Sequence, residues 1–383
     1  MPKFLKRETR IVYIMLGNSC NMSCTYCLQH PLINEQLINE INFDIYDFLC
    51  ETAYENKEHR LELRFYGGEP LLYFNNIRTI VETLNNRNGV KFSYSIITNG
   101  KAMTDEIVKF FNDNNVSVAL SWDGDSVLET RGFDVFADQT HKMRILKINR
   151  LCLTGVISAK AYPKQLIEAF QRVSDEYYVI HGYNLNVNLD EIFDTGLPDK
   201  ELLDIDYKRV SSEIIEIMKT VDLYIGNLKG NNYYDAKDSV KLFYINSLIR
   251  KLGGFPDSQS KWQGHTVFCG NGLSVINMDL QGNIYPCHNV SEEAGNIYEN
   301  FYNLLNKILA TDNTKLFRNK CLNCKIFSFC RGGCKLIKAD VRESGYCLLK
   351  RAVAVPVFDY INKVEQSLEY EKKEISTYEG NRK

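Results

Sequence analysis

From residue 10 to about 190 the chain alternates short runs rich in β-branched and aromatic residues with longer stretches whose apolar residues return every three or four positions. That alternation predicts a parallel sheet whose strands are joined by crossover helices. Strands are expected at 10–16, 61–66, 91–98, 116–121, 150–157 and 183–189. Helices are expected at about 36–56, 75–87, 104–115 and 163–175, the last opened by Pro163 at a first-turn position. In such a sheet, function gathers where strands end and the following loops begin. Helical periodicity returns at about 200–220 and 235–251, on either side of a polar stretch from Gly226 to Asn232 that reads as a loop. Gly253-Gly254-Phe255-Pro256 breaks the chain again, and 348–370 reads as one helix followed by a charged tail.

Composition narrows the function classes. The 383 residues carry a formal charge of −2 and no long Lys/Arg run, so nucleic acid is not an expected partner. The apolar run after the charged N-terminus is too short for a signal segment, and no stretch approaches the roughly 18 apolar residues of a membrane helix. A cytoplasmic protein without a membrane segment is expected. Its 12 cysteines are clustered, three between 20 and 27 and seven between 269 and 347. Clusters in a reducing compartment read as metal ligands, whereas Cys50 and Cys152 lie apart and are expected to be small buried hydrophobes.

The first cluster is Cys20-Asn21-Met22-Ser23-Cys24-Thr25-Tyr26-Cys27, directly after the first expected strand. Three thiols are one short of a closed metal site, and an open position is what chemistry needs. A zinc knuckle completed by His30 is the plainer alternative. The CxxxCxxC spacing with an aromatic before the third cysteine resembles the radical SAM superfamily. That resemblance implies a 4Fe-4S cluster on Cys20, Cys24 and Cys27. Its open iron would hold S-adenosylmethionine, whose reductive cleavage yields a hydrogen-abstracting 5′-deoxyadenosyl radical. Gly67-Gly68-Glu69-Pro70 follows the second strand and matches the family's GGEP motif, whose backbone and carboxylate are expected to hold the cofactor's amino group. Thr98-Asn99-Gly100 and Ser121-Trp122-Asp123-Gly124 resemble strand ends that line the cofactor pocket. Asn99, a Ser121 hydroxyl contact, Tyr26 packed on adenine or the cluster edge, and Arg131 on the cofactor carboxylate are the further candidates, Arg131 at a spacing that departs from the family's. The implied fold is α/β, a partial (β/α)6 barrel, with a full eight-stranded barrel second.

The later cysteines are more specific. Cys269, then Gly282 to Cys287, then Cys321-x2-Cys324-x5-Cys330-x3-Cys334, and finally Cys347 follow the seven-cysteine order of the SPASM extension. Gly295-Asn296-Ile297 and Arg331-Gly332-Gly333-Cys334 also resemble its segments. Two auxiliary 4Fe-4S clusters are implied. Cys321, Cys324, Cys330 and Cys347 would close one, while Cys269, Cys287 and Cys334 would give three ligands to the other, its fourth position left to a substrate thiolate, His265 or water. The expected organisation is a barrel over 1–230, a connector over 231–268, the SPASM extension over 269–350 and a C-terminal helix and tail over 351–383.

Two functional classes of the superfamily come into view, peptide modifiers and anaerobic sulfatase-maturing enzymes. The sulfatase type usually has Gln before GGEP and a catalytic Asp after the second SPASM cysteine, where this chain has Tyr66 and His288. These departures favour a peptide modifier that installs a cross-link such as a thioether, with formylglycine formation second and a non-catalytic metal module third. His288 remains a candidate base. The resemblance implies a peptide or protein substrate and an electron donor such as flavodoxin or ferredoxin. With the cluster loop starting at residue 20, peptide recognition is expected from the barrel mouth or from a separate recognition protein.

Overall fold

The computed structural model describes residues 9–29, 32, 39–56, 58–194, 196–197, 199–225, 238–251, 274–310, 321, 323–330, 332–334 and 345–380. Cys269, His265, His30, Arg331 and the expected loop at Gly226 to Asn232 lie outside them.

All six expected strands form: β1 (Ile11–Met15), β2 (Arg60–Tyr66), β3 (Lys91–Thr98), β4 (Ser117–Ser121), β5 (Leu151–Ile157) and β6 (Asn186–Glu191). Each pairs in parallel with the next. The helices between them lie on one face, α1 (Asp44–Glu55) on β2, α2 (Phe74–Asn85) on β3 and α6 (Pro163–His181) on β5. Strand alternation explains the division of labour. Val12, Ile14, Leu61, Leu63, Phe65, Ile96, Leu120 and Leu153 are fully buried beneath the helices. Each such side chain contributes roughly 1.5–3 kcal/mol through burial. The intervening residues Tyr13, Glu62, Arg64, Tyr66, Ser95 and Ser121 are half-buried on the opposite, inner face.

The sheet is larger than expected. β7 (Val275–Asp279) pairs in parallel with the other side of β1, and β8 (Asn283–Tyr285) and β9 (Gly295–Asn296) continue it antiparallel. Among the described residues, nine strands run in the order β6-β5-β4-β3-β2-β1-β7-β8-β9, with β6 and β9 as the edges. The barrel is therefore partial, and the cysteine-rich segment shares a sheet with it across the expected boundary at 269.

Other differences have local causes. The first helix starts at Asp44, eight residues late, where the Asn42 side chain accepts the Asp44 N–H at 3.1 Å. α6 runs on to His181 because Tyr177, 1% exposed, anchors its last turns through hydrogen bonds to the Ile148 and Asn149 carbonyls at 2.9 Å. Two short helices, α4 (Val127–Arg131) and α5 (Gln139–Leu146), were not expected, being too short to show a period. The two later helices form as α7 (Tyr207–Ile225) and α8 (Ser239–Lys251), and α8 lies against β6 and so joins the barrel's outer layer. The last helix, Cys347–Gly380, is longer than expected and carries Pro356 inside it. Its Leu349, Val353, Val357 and Ile361, four residues apart, are all buried, and the helix packs on α7 and α8. Cys50 and Cys152, both expected to be buried, are each half-buried, Cys50 against the main core and Cys152 on the inner face of β5.

One buried ion pair fastens this helix to the barrel. Lys350 Nζ lies 2.8 Å from Glu191 Oε2 at the end of β6, with side chains 9% and 15% exposed. Burial works against the ammonium, but the adjacent carboxylate holds it charged. Glu191→Ala should destabilise the fold by about 3–5 kcal/mol in denaturant titration, because it removes the carboxylate that pairs with a buried cation. Asp359→Ala, which breaks the exposed Lys325–Asp359 pair, should cost at most about 1 kcal/mol in the same assay.

Candidate active site

The first cysteine loop leaves β1 through Leu16-Gly17-Asn18-Ser19 and lies directly over the end of β2. Gly68 N–H donates to the Gly17 carbonyl and Glu69 N–H to the Ser19 carbonyl, both at 2.9 Å. The glycines make this approach possible. A Cβ on Gly67 would stand 2.2 Å from the Gly17 oxygen, and one on Gly68 2.4 Å from the Asn18 and Ser19 oxygens. Gly67 also has a φ of +146°. Ser19 N–H donates to the Tyr73 hydroxyl at 3.1 Å, which ties the loop to the turn following Pro70.

Glu69 points inward. It is 1% exposed and accepts from Leu71 N–H (2.9 Å), Thr98 Oγ1 (2.5 Å) and Asn99 N–H (2.8 Å). Burial raises its carboxyl above the usual range and the three donors oppose that rise. In this structure the carboxylate braces the ends of β2 and β3, and caps the turn that begins at Pro70. Asn99 reaches the loop itself, its Nδ2 donating to Asn21 Oδ1 at 2.8 Å and lying 3.9 Å from Cys20 Sγ.

The far side of the loop is held by β4 and α4. Thr25 donates to the Thr130 carbonyl through both N–H and hydroxyl at 3.0 Å. Tyr26, 8% exposed, donates its hydroxyl to Asp123 Oδ2, and the Arg131 guanidinium lies 5.2 Å from the Tyr26 ring centre. Arg131, also 8% exposed, forms a two-pronged pair with Asp123 at 2.9 and 3.1 Å. Despite burial, that pairing holds Arg131 firmly protonated. Ser121, half-buried, ends β4 in register with Thr154.

Cys20, Cys24 and Cys27 thus converge at the strand ends, each partly exposed and within electrostatic reach of the others. Burial pushes the Cys24 thiol up to about 11, against the pull of the nearby Arg131. An all-sulfur triad of this kind fits an iron–sulfur cluster, since thiolates are its ordinary ligands. In the second group, burial likewise pushes Cys330 up to about 11, and it feels both Cys347 and Cys321. Cys324 N–H bonds the Cys321 carbonyl at 2.9 Å, and Cys334 N–H the Tyr346 hydroxyl at 3.4 Å. Cys321 and Cys347 each lie within electrostatic reach of Cys330.

Between the two groups lies a set of residues that sequence reasoning did not bring together. The His288 ring stacks on Tyr13 at 4.4 Å and meets Tyr66 edge-on at 4.6 Å. Tyr66 lies near both Cys27 and Cys287. Gln29, two residues after Cys27, donates to the His288 carbonyl and to Asn289 Oδ1 at 2.6 Å each. Burial and the nearby Arg64 guanidinium pull the His288 imidazole down to about 4, so its ring is neutral at pH 7. Asp123 lay in a segment expected to line the cofactor pocket but was given no role of its own, and Tyr13 was missed. Only the alternation in β1, which turns Tyr13 inward, offered a signal.

An open α/β barrel with a soft-sulfur triad above its strand ends is the architecture of a cluster-dependent enzyme. Residues 14–145 match the family model of the radical SAM superfamily. It is 23% identical to the radical SAM cyclopropyl synthase TigE of Paramaledivibacter caminithermalis, over 85% of this chain and 68% of that protein. It is 26% identical to a cysteine-type anaerobic sulfatase-maturating enzyme of Clostridium novyi, over 83% of this chain and 86% of that one. The native anSMEcpe structure with bound AdoMet and Cp18Cys peptide shares the fold, with a TM-score of 0.66, 18% identity, and 94% of this chain and 99% of that one covered. No described helix is long and apolar enough to cross a membrane.

Gly68→Ala tests the seat of the loop. Its Cβ would meet two backbone oxygens that cannot move without the loop. We expect a loss of roughly 1–3 kcal/mol by thermal denaturation, as for other overpacked sites.

Proposed function

We propose that this chain is a radical SAM/SPASM enzyme that abstracts hydrogen from a peptide substrate and installs a cross-link, such as a thioether, in a ribosomally made peptide. The observation that carries this reading is the contact between Tyr66 and His288. They occupy the two positions where the sulfatase-maturing pattern has Gln and Asp, and here they form one aromatic wall with Tyr13. A neutral imidazole pulled down to about 4 is a weak base, so His288 enters as a wall of the substrate space more than as the proton acceptor expected from sequence. The peptide bound by the neighbour structure supports a peptide substrate.

When bound, the cluster and S-adenosylmethionine supply the hydrogen-abstracting radical. The chain's residues orient and enclose them. Cys20, Cys24 and Cys27 would hold the cluster, the Gly67–Gly68 backbone, Asn99 and Ser121 would line the cofactor site, and Tyr26 and Arg131 would back it. Glu69 and Pro70 would keep that site rigid from beneath. Cys321, Cys324, Cys330 and Cys347 would hold one auxiliary cluster, and Cys269, Cys287 and Cys334 three positions of another, which would accept the surplus electron. An electron donor such as flavodoxin or ferredoxin would prime the enzyme, and a separate recognition protein would deliver the peptide.

The test is anaerobic co-expression with small peptides encoded beside the gene, followed by fragment mass spectrometry. Loss of two hydrogens localised to a cysteine and a partner residue is the expected result. Formylglycine in a neighbouring sulfatase, with unchanged peptides, would put the sulfatase-maturing reading in its place. Separately, replacing Cys20, Cys24 and Cys27 with Ala should abolish cleavage of S-adenosylmethionine while two clusters remain by iron and sulfide analysis. Retained cleavage would refute the assignment of these ligands.

A further inference from the structure

We propose that Asp123 is the positioning residue of the three-thiol loop, holding Tyr26 and Arg131 against it from the end of β4. The proposal rests on reading that loop as the cofactor site and adds a residue to which the sequence motifs gave no role.

Asp123 is 1% exposed, and its carboxylate takes five donors from four residues in three parts of the chain. Oδ2 accepts from Tyr26 Oη, Thr130 Oγ1 at 2.7 Å and Arg131 Nε at 2.9 Å. Oδ1 accepts from Arg131 Nη2 at 3.1 Å and the Val156 N–H at 3.0 Å. A carboxylate offers about four lone-pair sites, so five donors leave no capacity for a ligand. Asp123 therefore acts through its neighbours.

Two of those neighbours adjoin the thiols, Tyr26 in the chain and Arg131 within electrostatic reach of Cys24. Tyr26 stands between Cys24 and Cys27, and Arg131 covers the Tyr26 ring. Thr130, which bonds Asp123, also presents the carbonyl that takes both Thr25 donors. One buried charge thus fixes residues 25 and 26 from two directions, and supplies the counter-charge that lets a guanidinium be buried beside the loop. Asp123→Asn keeps the shape but replaces one acceptor oxygen with a donor nitrogen, which must then face donors, and it leaves Arg131 without an anion.

The test uses the full chain, reconstituted anaerobically, and follows the change that S-adenosylmethionine causes in the electron paramagnetic resonance spectrum. That change reports only the cluster to which the cofactor binds. Asp123→Asn should keep its auxiliary-cluster signals and yet need at least about tenfold more S-adenosylmethionine for the change, as outer-shell substitutions around metal sites commonly do. Tyr26→Phe deletes a single hydroxyl and should weaken binding in the same direction by a smaller factor. It keeps the proposal testable if Asp123→Asn fails to fold. Wild-type affinity in Asp123→Asn, or in Tyr26→Phe where the first does not fold, overturns the assignment. A wild-type protein whose spectrum ignores S-adenosylmethionine overturns the cofactor-site reading itself, and the Asp123 proposal with it.

Discussion

The backbone of one strand end rests on the backbone of the next, and the position of every candidate ligand in the first loop follows from that contact. Without side chains at Gly67 and Gly68, the end of β2 approaches the Gly17–Ser19 segment closely enough for two main-chain hydrogen bonds. From sequence, these glycines were expected to let the backbone approach a ligand. In the structure they first let it approach the loop that carries the ligands. The two uses are compatible, because a loop held by main-chain bonds is rigid whatever its side chains do, and a preorganised site loses less entropy on binding. Glu69 belongs to the same arrangement. Its carboxylate takes three internal donors and so braces the ends of β2 and β3.

The inner face of the sheet shows why the barrel stays open. A closed barrel of eight strands fills its interior with branched apolar side chains. Here the inner row carries Tyr13, Glu62, Arg64, Tyr66, Ser95 and Ser121, linked by bonds such as Arg64 Nε to Glu62 Oε1 at 2.7 Å and Arg64 Nη1 to Tyr13 Oη at 3.2 Å. Polar groups of this kind need partners or water, and they offer a peptide directional contacts. The apolar stabilisation comes instead from the outer face, where the helices lie. Stability and function are thereby assigned to alternate residues of the same strands.

What was legible in the sequence follows the range of the interaction involved. The six parallel strands were readable because alternation and turn residues are local, and the cysteine order was readable because spacing is a property of the chain. Glu69's inward orientation was not, since its partners Thr98 and Asn99 lie thirty residues away and look like ordinary turn residues. β7 escaped notice because all five of its residues are buried, so it has no alternation to detect. The meeting of Tyr13, Tyr66 and His288 was least legible. It depends on β7 pairing with β1 across more than two hundred and fifty residues of sequence.

That pairing also bears on how the two cysteine groups can communicate. Had the later group formed a separate domain, its distance from the first would depend on a linker and an interface of modest size. Because β7 extends the barrel's own sheet, Cys287 follows β8 by only two residues, and Tyr66 lies within electrostatic reach of both Cys27 and Cys287. Gln29 closes the gap from the other side by bonding the His288 carbonyl. The Lys350–Glu191 pair does the same for the last group, joining the helix that begins at Cys347 to the end of β6. Each cysteine group is thus tied to a strand end of one continuous sheet. The separations of these groups are therefore set by hydrogen-bonded strands and a buried ion pair instead of by a flexible linker.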